Sequence, residues 1–375
     1  MDKKRINILG VTGSIGLSTV KVILSDPDKF DVHVISAHTQ KDALAKLQEQ
    51  LGATHAVCTK DEDITPYLNE EVDLTVSAIT GFSGLRPLLK AIEGSKAVGI
   101  ANKEPLVAAG PLVLRACKEY GTKILPIDSE HNAIFQVFDE AQRSSIERLI
   151  LTASGGPFRS WSLERMRDAT VEQAVAHPNW SMGQKISVDS ASMMNKALEV
   201  IEAHYLFDMP AEKIDVLIHP QSVVHSMVEY NDGSILSQMG ASDMCTSIAY
   251  ALGWPERIAT PGKRLGFTQM QVLNFEAVDD EKFPAIQMAR DCINSGLAAS
   301  IAFNAANEVA VGAFLEKEIG FLDIQRCVQN GLDELAKVPK SIANDARIED
   351  IEALDADIRA KAHAFIAQKL LIREL

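Results

Sequence analysis

The chain has 375 residues, and 46% of them are hydrophobic, which is enough to build the cores of two or three domains. Its 37 lysines and arginines stand against 51 aspartates and glutamates, so the formal net charge is −14. A chain this acidic is a poor nucleic-acid binder, and it must bind any anion through a local site. No apolar run reaches the roughly 18 residues of a membrane span, so no membrane partner is expected.

The beginning of the chain and its cysteines indicate a cytoplasmic protein. The segment MDKKRINILGVTGS enters a strand pattern directly, without the apolar core of a signal peptide. The cysteines are odd in number, scattered and never in a CxxC pair; they are Cys58, Cys117, Cys245, Cys292 and Cys327. This usage is typical of reduced, mostly structural thiols.

Strand and helix patterns alternate through the first third of the chain. The strand candidates are RINILGV, DVHVISA, THAVCT, VDLTVSA, KAVGIA and TKILPI. Helical stretches between them include KDALAKLQEQL and PLVAAGPLVLRACKEY. This alternation predicts βαβ units and a mostly parallel sheet.

After about residue 146 the pattern changes. A strand, ERLILTA, leads into a Gly-Gly-Pro turn, and SVVHSMVEY and SILSQMG flank an Asn-Asp-Gly turn typical of a hairpin. Beyond residue 281 nearly every segment is helical in pattern. We therefore predict an α/β protein with a Rossmann-like dinucleotide-binding domain (1–127), a central α+β catalytic domain (128–253), a linker (254–280) and a C-terminal helical domain (281–375).

The first strand runs into Gly10-Val11-Thr12-Gly13-Ser14-Ile15-Gly16. The spacing is GxxGxxG and not the usual GxGxxG, but glycines here still permit a tight turn and close approach of a pyrophosphate to a helix N-terminus. A plain strand-to-helix turn is the alternative. Because the turn follows the first strand of a βαβ series, a dinucleotide site is favoured.

The residues after the second strand bear on which dinucleotide is bound. NAD-binding folds usually place an acid there for the ribose 2′-hydroxyl, whereas this chain has Ala37, His38, Thr39 and, two residues later, Lys41. A missing acid and two basic residues favour a 2′-phosphate and therefore NADP. The same residues could equally well begin the next helix.

Two acids follow the sixth strand candidate, in the segment TKILPIDSEHNAIF. If the strand continued, Asp128 and Glu130 would point to the same side, at the edge of the sheet where ligands bind. Paired carboxylates repel one another unless a cation lies between them, and their oxygens suit Mg²⁺ or Mn²⁺. A helix N-terminus capped by Asp128 or Ser129 explains the residues equally well.

A third acid lies in ISVDSASMMNKALEVIEAHYLF, which is predicted to form one helix from about Asp189. Asn195 and Glu199 would then share a face, with Lys196 beside Glu199. By itself, a solvated face with a salt bridge is the simpler interpretation.

Serines and glycines near these acids suggest a phosphate site. Ser154-Gly155-Gly156 follows a strand, and Ser187, Ser190 and Ser192 lie around the start of the predicted helix. The polar segment 177–186, HPNWSMGQKI, joins the two and carries a tryptophan. We predict that it forms a lid over the substrate; a tryptophan that anchors a structural loop is the alternative.

Taken in order, these motifs resemble the 1-deoxy-D-xylulose 5-phosphate reductoisomerase family. The matching motifs are GVTGSIG, ANKEPLV, PIDSEHNAIFQ, ASGGPFR, HPNWSMGQKISVDSASMMNKALE and HPQSVVHSMVEY. The resemblance implies an NADP-dependent oxidoreductase that uses Mg²⁺ or Mn²⁺. It would isomerise 1-deoxy-D-xylulose 5-phosphate by retro-aldol and aldol steps, then reduce the aldehyde with hydride from NADPH to give 2-C-methyl-D-erythritol 4-phosphate, an isoprenoid precursor.

The resemblance also assigns roles to residues. It implies metal ligation by Asp128, Glu130 and Glu199, and catalysis by Lys103 and Glu130. Substrate contacts would come from Lys103, Ser129, Glu130, Ser154, His177, Ser190, Asn195, Lys196 and Glu199. Cofactor contacts would come from Thr12, Gly13, Ser14, Ile15, Ala37, His38, Thr39, Asn102, Glu104 and Gly183, although Ala37-His38-Thr39 departs from the signature common in the family.

The resemblance further implies a homodimer and a small phosphorylated sugar as substrate. Two other functions remain compatible with the motifs. One is a different metal-dependent NADP oxidoreductase, and the other is a dinucleotide-sensing protein without catalysis.

Overall fold

The computed structural model describes residues 3–180, 182–269, 272–337 and 342–373. The chain divides into two compact units. The first comprises Met1–Pro105, Val113–Gln136 and Gly240–Leu265. The second comprises Leu106–Leu112, Val137–Met239 and Gly266–Leu375.

The strands follow the predicted pattern closely in the first third of the chain. They are β1 (Lys4–Leu9), β2 (Phe30–Ala37), β3 (His55–Cys58), β4 (Val72–Ser77), β5 (Ser95–Ile100), β6 (Lys123–Pro126), β7 (Ile146–Ala153), β8 (Ile214–Ile218), β9 (Val224–Tyr230), β10 (Ile235–Met239) and β11 (Glu276–Ala277).

The helices connect these strands and fill the C-terminal part of the chain. They are α1 (Ser14–Ser25), α2 (Lys41–Leu51), α3 (Leu85–Gly94), α4 (Glu104–Tyr120), α5 (Ser129–Val137), α6 (Leu163–Arg167), α7 (Val171–Ala174), α8 (Gln184–Ala191), α9 (Met194–Phe207), α10 (Met244–Gly253), α11 (Ala285–Ser295), α12 (Leu297–Leu315), α13 (Asp323–Lys337) and α14 (Ile348–Arg373).

The first unit is built on a six-stranded sheet in the order β3-β2-β1-β4-β5-β6. Every pair of neighbouring strands in it is parallel. Residues such as Ile6, Ile8 and Val76 are fully buried, because helices cover a parallel sheet on both faces. The strand order reverses between β1 and β4, and the crevice at such a switch point is where doubly wound sheets bind dinucleotides. The predicted Rossmann-like domain is confirmed.

The glycine turn lies at this switch point. Gly10 has φ +83°, and a Cβ there would come within 2.6 Å of the Ala78 carbonyl oxygen at the end of β4. A Cβ at Gly16 would overlap the backbone of Gly10 and Val11. Glycine is therefore required at both positions, one for the turn and one for close packing of α1 on β1.

The second unit contains a mixed five-stranded sheet in the order β10-β9-β7-β8-β11. β7 and β8 are parallel, whereas the other pairs are antiparallel. The predicted hairpin is confirmed, since β9 and β10 pair around Asn231-Asp232-Gly233. The helical C-terminal region is confirmed as well, in α11 to α14.

α12 is the core helix of this region. In the part of the chain that the structure describes, only α12 is long and apolar enough to cross a membrane, and 83% of its apolar window is buried inside the protein. Its apolar sequence is therefore that of a core helix.

The two compact units cut across the predicted domains. Residues 128–136 and 240–253, predicted for the central domain, and residues 254–265, predicted for the linker, belong to the first unit, whereas residues 106–112, predicted for the dinucleotide-binding domain, belong to the second. The physical reason is local packing: the Asn132 amide donates to the Pro126 carbonyl at 2.8 Å, and Ile248 and Leu252 join the core beneath the parallel sheet. The other predicted boundaries stay predictions.

Candidate active site

The carboxyl ends of the parallel strands gather most of the predicted cofactor residues. Thr12 to Ile15 follow β1, Ala37 to Thr39 follow β2, and Asn102 to Glu104 follow β5. The carboxyl ends of parallel strands meet at one edge of a sheet, so these segments share that edge.

The glycine turn presents an open helix N-terminus. Gly13 is the residue that precedes α1, and no side chain caps it. Gly13 and Ser14 are exposed, and no acid lies in the first turn of α1. The backbone N–H groups and the positive end of the helix dipole therefore face solvent, as a pyrophosphate requires.

The end of β2 is held by side chains from the end of β3. His38 Nδ1 lies 3.1 Å from Thr59 Oγ1, and the Lys41 ammonium pairs with Asp61 at 2.9 Å. Lys41 was predicted as a partner for a 2′-phosphate, but the structure neutralises it with Asp61. His38 and Thr39 stay exposed. Asp61 could not be predicted, because its contact with Lys41 depends on the pairing of β2 with β3.

The segment after β5 is polar and buried. Asn102, Lys103 and Glu104 are at most 8% exposed. The Ser77 hydroxyl donates to Asn102 Oδ1 at 3.3 Å, which ties the end of β4 to the end of β5. Burying polar side chains costs free energy of desolvation, which residues on an ordinary surface loop do not incur. Three buried polar residues at a sheet edge therefore indicate a binding site.

Lys103 reaches the carboxylate of Asp128. Its Nζ lies 2.6 Å from Asp128 Oδ2, and the two side chains are 6% and 13% exposed. Burial alone would raise the pKa of Asp128, but the Lys103 ammonium and the His131 ring outweigh it and hold that pKa well below its ordinary value. The structure therefore keeps an ionised carboxylate beside an ammonium in a largely dry place.

The prediction that Asp128 and Glu130 share one face of a strand is wrong. β6 ends at Pro126, and α5 begins at Ser129, so Glu130 lies in the first turn of a helix. The Asn132 N–H donates to the Asp128 carbonyl at 2.8 Å, which starts the helix. The Ser129 hydroxyl donates to Glu130 Oε2 at 2.5 Å. The backbone therefore matches the alternative interpretation, in which these residues begin a helix.

In the second unit, the helix predicted from Asp189 onward is broken. α8 ends at Ala191, Met193 adopts φ +61°, and α9 begins at Met194. The expected face is nevertheless present on α9. Asn195 and Lys196 both donate to the carboxylate of Glu199.

This face is not the solvated one that the sequence alone suggested. Lys196 is 3% exposed and Glu199 is 1% exposed. A buried lysine and carboxylate pair is expensive to desolvate and contributes little net stability, so function is the better explanation of its presence.

The turn after β7 and the start of the 177–186 segment meet at Ser154. The Ser154 oxygen lies 2.8 Å from His177 Nε2. His177 Nδ1 accepts from the backbone N–H groups of Asn179 and Trp180, so Nε2 carries the proton and donates to Ser154. A Cβ at Gly156 would come within 2.8 Å of the Ser190 carbonyl, so this turn packs directly on the end of α8.

The segment 177–186 is attached to the connection between β8 and β9. The Asn179 amide donates to the Pro220 carbonyl at 2.6 Å and to Ser222 Oγ at 2.9 Å. Trp180 is half-buried, with its ring 6.1 Å from that of His225. Ser181 lies outside the described residues, and Gly183 is the exposed residue that precedes α8.

Comparison with known proteins identifies the family. A family described as 1-deoxy-D-xylulose 5-phosphate reductoisomerase matches residues 6–72 and 62–110. Two C-terminal domain families of the same enzyme match residues 124–207 and 239–361.

Several relatives match over nearly the whole chain. The reductoisomerase of Rhodospirillum centenum is 48% identical over 97% of this chain and 94% of its own length. A solved reductoisomerase from Zymomonas mobilis in complex with NADPH is 44% identical, with a TM-score of 0.89 over 97% of this chain and 99% of that one. Another, in complex with NADPH, fosmidomycin and magnesium, is 41% identical, with a TM-score of 0.90 over 98% and 99%. The chain belongs to the 1-deoxy-D-xylulose 5-phosphate reductoisomerase family.

Proposed function

We infer that the protein converts 1-deoxy-D-xylulose 5-phosphate to 2-C-methyl-D-erythritol 4-phosphate with NADPH and a divalent metal ion. The observation that carries this is the edge of the parallel sheet, where an open glycine turn accompanies the buried Lys103–Asp128 pair. Full-length similarity to reductoisomerases solved with NADPH and magnesium supports the same reaction. Metal-dependent oxidation of NADPH by the sugar phosphate tests it.

We propose Asp128, Glu130 and Glu199 as the residues that hold the metal ion. All three offer carboxylate oxygens, which suit Mg²⁺ or Mn²⁺, and Asp128 stays ionised because of Lys103 and His131. When bound, such an ion acts as a Lewis acid on substrate oxygens. The ammonium groups of Lys103 and Lys196 pair with the carboxylates of Asp128 and Glu199.

We propose that Lys103 and Glu130 act on the substrate. Lys103 is a buried ammonium and would stabilise negative charge that develops on a substrate oxygen as the carbon–carbon bond breaks. Glu130 already accepts a hydrogen bond from Ser129, so this pair has the groups to hold or move a hydroxyl proton. NADPH supplies the hydride for the final reduction.

A phosphate site in the second unit fits the remaining residues. Ser154 and His177 form one hydrogen-bonded pair, and Gly156 packs on the backbone of Ser190. We propose that these groups, with Asn195 and Lys196, bind the substrate phosphate and hydroxyl groups. The cofactor contacts proposed are Thr12, Gly13, Ser14, Ile15, Ala37, His38, Thr39, Asn102, Glu104 and Gly183.

We propose that residues 177–186 close over the bound substrate. The segment adjoins both Ser154 and α8, so closure would exclude water from an aldehyde intermediate. The bonds of Asn179 to Pro220 and Ser222 give the segment a defined anchor on one side.

A homodimer in the cytoplasm is our proposal for the state of the protein in the cell. β10 is an edge strand of the mixed sheet, and Ile235 and Leu236 on it are 50% and 47% exposed. An exposed apolar edge strand favours pairing with another chain. In a symmetric dimer, the same strand of a second copy would cover it. The five cysteines are all free in the structure, as a reducing compartment requires.

A further inference from the structure

Asp189 is a buried carboxylate that none of the roles above uses. It is 1% exposed and lies near the C-terminal end of α8, which ends at Ala191. Its Oδ2 lies 2.9 Å from Lys185 Nζ one turn earlier. Its Oδ1 accepts a hydrogen bond from Asn307 Nδ2 at 2.8 Å. The carboxylate is thus neutralised within its own helix and tied to a second helix.

Asn307 occupies the middle of the apolar core helix α12. It is fully buried, and among the described residues its Oδ1 has no hydrogen-bond partner. An asparagine here is costly compared with an apolar residue of similar size, because half of its amide is unsatisfied. Since an ionised carboxylate only accepts hydrogen bonds, the amide must turn its NH₂ group to Asp189. The hydrogen bond to Asp189 is therefore the feature that explains an asparagine at position 307.

The contact lies directly beside the proposed phosphate site. Ser190 follows Asp189, and the backbone of Ser190 and Ala191 packs against Gly156. The Ser192 hydroxyl donates to the carbonyls of Val188 and Asp189, which ends the helix before the left-handed residue that follows. A side chain that fixes the rotation of α8 at Asp189 therefore also fixes the direction of Ser190.

We propose that Asp189, held by Asn307 and neutralised by Lys185, is a positioning residue for the phosphate-binding end of α8. The positioning role rests on the proposed function in one respect, namely that Ser190 binds the substrate phosphate. The pair orients Ser190 against the Ser154–Gly156 turn before substrate arrives, which lowers the ordering cost of binding.

The test is Asn307→Leu, with Asn304→Leu as a matched control. Asn304 is also a fully buried asparagine of α12, but its amide donates to Glu308 at 3.1 Å. We expect Asn307→Leu to raise KM for the sugar phosphate at least about tenfold while kcat and the Kd of NADPH change less than about threefold. Asn304→Leu should lower the melting temperature without changing KM.

A second pair of variants keeps the test decisive if Asn307→Leu folds poorly. In Asp189→Asn, the new amide can both accept from and donate to Asn307, so KM should stay within about threefold of the wild-type value. Asp189→Leu removes the contact and should raise KM as Asn307→Leu does. Equal KM values in Asp189→Asn and Asp189→Leu, or a fall in melting temperature alone, would overturn the proposal.

Inorganic phosphate separates this proposal from the proposed function. Its Kd, measured by calorimetry on the wild-type protein and the variants, should weaken in parallel with KM in Asn307→Leu and Asp189→Leu. If the wild-type protein binds phosphate but does not turn over the sugar phosphate, the proposed function fails and the positioning role stands. An unchanged Kd for phosphate in both variants contradicts the positioning role even if turnover is normal.

Discussion

At the residue scale, the proposed metal ligand Asp128 is a buried carboxylate that stays ionised. A buried carboxylate would ordinarily take up a proton, but Lys103 at 2.6 Å keeps it charged. Removing one member of a buried ion pair leaves the other charge unpaired, which costs about 3–5 kcal/mol. The pair therefore keeps a charged carboxylate in a buried place, as the proposed metal site needs.

The first prediction concerns these acids. Asp128→Asn and Glu199→Gln should each lower metal-dependent turnover by at least about a thousandfold, because each removes a ligand charge. NADPH binding, followed by fluorescence titration, should stay largely intact. Asp208→Asn, which changes a 96% exposed carboxylate at the end of α9, is the control and should be fully active. Near-normal activity in either site variant would remove that residue from the metal site.

The second prediction concerns pH and stability. His33 is 1% exposed, and burial and the Arg5 guanidinium lower the pKa of its ring below the ordinary value of 6.5. The other charged or titratable groups that face it are Glu70, His55 and Asp31. The unfolded chain therefore takes up this proton first as the pH falls, so the contribution of His33 is complete above pH 6.5 and is lost below it.

Urea unfolding at several pH values measures this effect. The free energy of unfolding of the wild-type protein should fall as the pH drops below 6.5, with a slope from this one group of at most about 1.4 kcal/mol per pH unit. His33→Gln should remove that part of the slope. His363→Gln, at an exposed position of α14, should not. Identical slopes for the three proteins would refute the assignment to His33.

At the element scale, the connection from β2 to α2 leads to a prediction about cofactor preference. No acid is in the connection itself, and Asp61 from the end of β3 is engaged by Lys41. The third prediction is that kcat/KM is at least about tenfold higher for NADPH than for NADH, because a free acid would repel the 2′-phosphate. Steady-state kinetics with both cofactors decides the matter, and equal values would contradict the prediction.

The fourth prediction concerns the segment 177–186. Trp180→Ala should reduce kcat/KM by at least about a hundredfold with little change in melting temperature, since a lid residue contributes to closure and not to the core. If Trp180 were a core residue, its truncation would cost about 3–5 kcal/mol instead.

Trp161→Ala is the matched control for that variant. The Trp161 ring packs against the fully buried Phe158, with ring centroids 4.5 Å apart. The Trp161→Ala variant should therefore have a lower melting temperature, while its activity per folded molecule is preserved. The same result in Trp180→Ala would eliminate the lid.

The sequence predicted strands and helices well where the hydrophobic periodicity and the flanking turn residues indicated the same element. The six strands of the parallel sheet and the hairpin at 231–233 follow from alternation and turn residues. It did not predict the end of β6 at Pro126, because a polar segment can continue a strand or begin a helix. The break at Met193 carries no glycine or proline, so no local signal marks it.

At the scale of the whole molecule, contacts between distant segments decide what the sequence could not show. Asp189 and Asn307 are 118 positions apart, and no sequence pattern links the two. The burial of Lys196 and Glu199 likewise depends on packing, which periodicity alone does not give. The ordered motifs indicated the family, whereas the positioning contacts required the fold.

The fifth prediction tests the homodimer. Ile235→Lys should increase the monomer fraction in sedimentation experiments at micromolar concentration, because it places a charge on the exposed strand β10. Leu371→Lys replaces a leucine that is 63% exposed on α14 and should leave the distribution unchanged. A wild-type protein that sediments as a monomer, or an unaffected Ile235→Lys dimer, would exclude this interface.

The central claim is that one site combines metal-dependent isomerisation with hydride transfer. The most direct measurement follows NADPH absorbance with 1-deoxy-D-xylulose 5-phosphate, with Mg²⁺ or Mn²⁺ and with a chelator, and identifies the product by mass and NMR. We predict oxidation only with the metal, in equal amounts with 2-C-methyl-D-erythritol 4-phosphate. NADPH binding without turnover would indicate a sensing protein, and oxidation that yields another product would indicate a different oxidoreductase; either result would contradict the account.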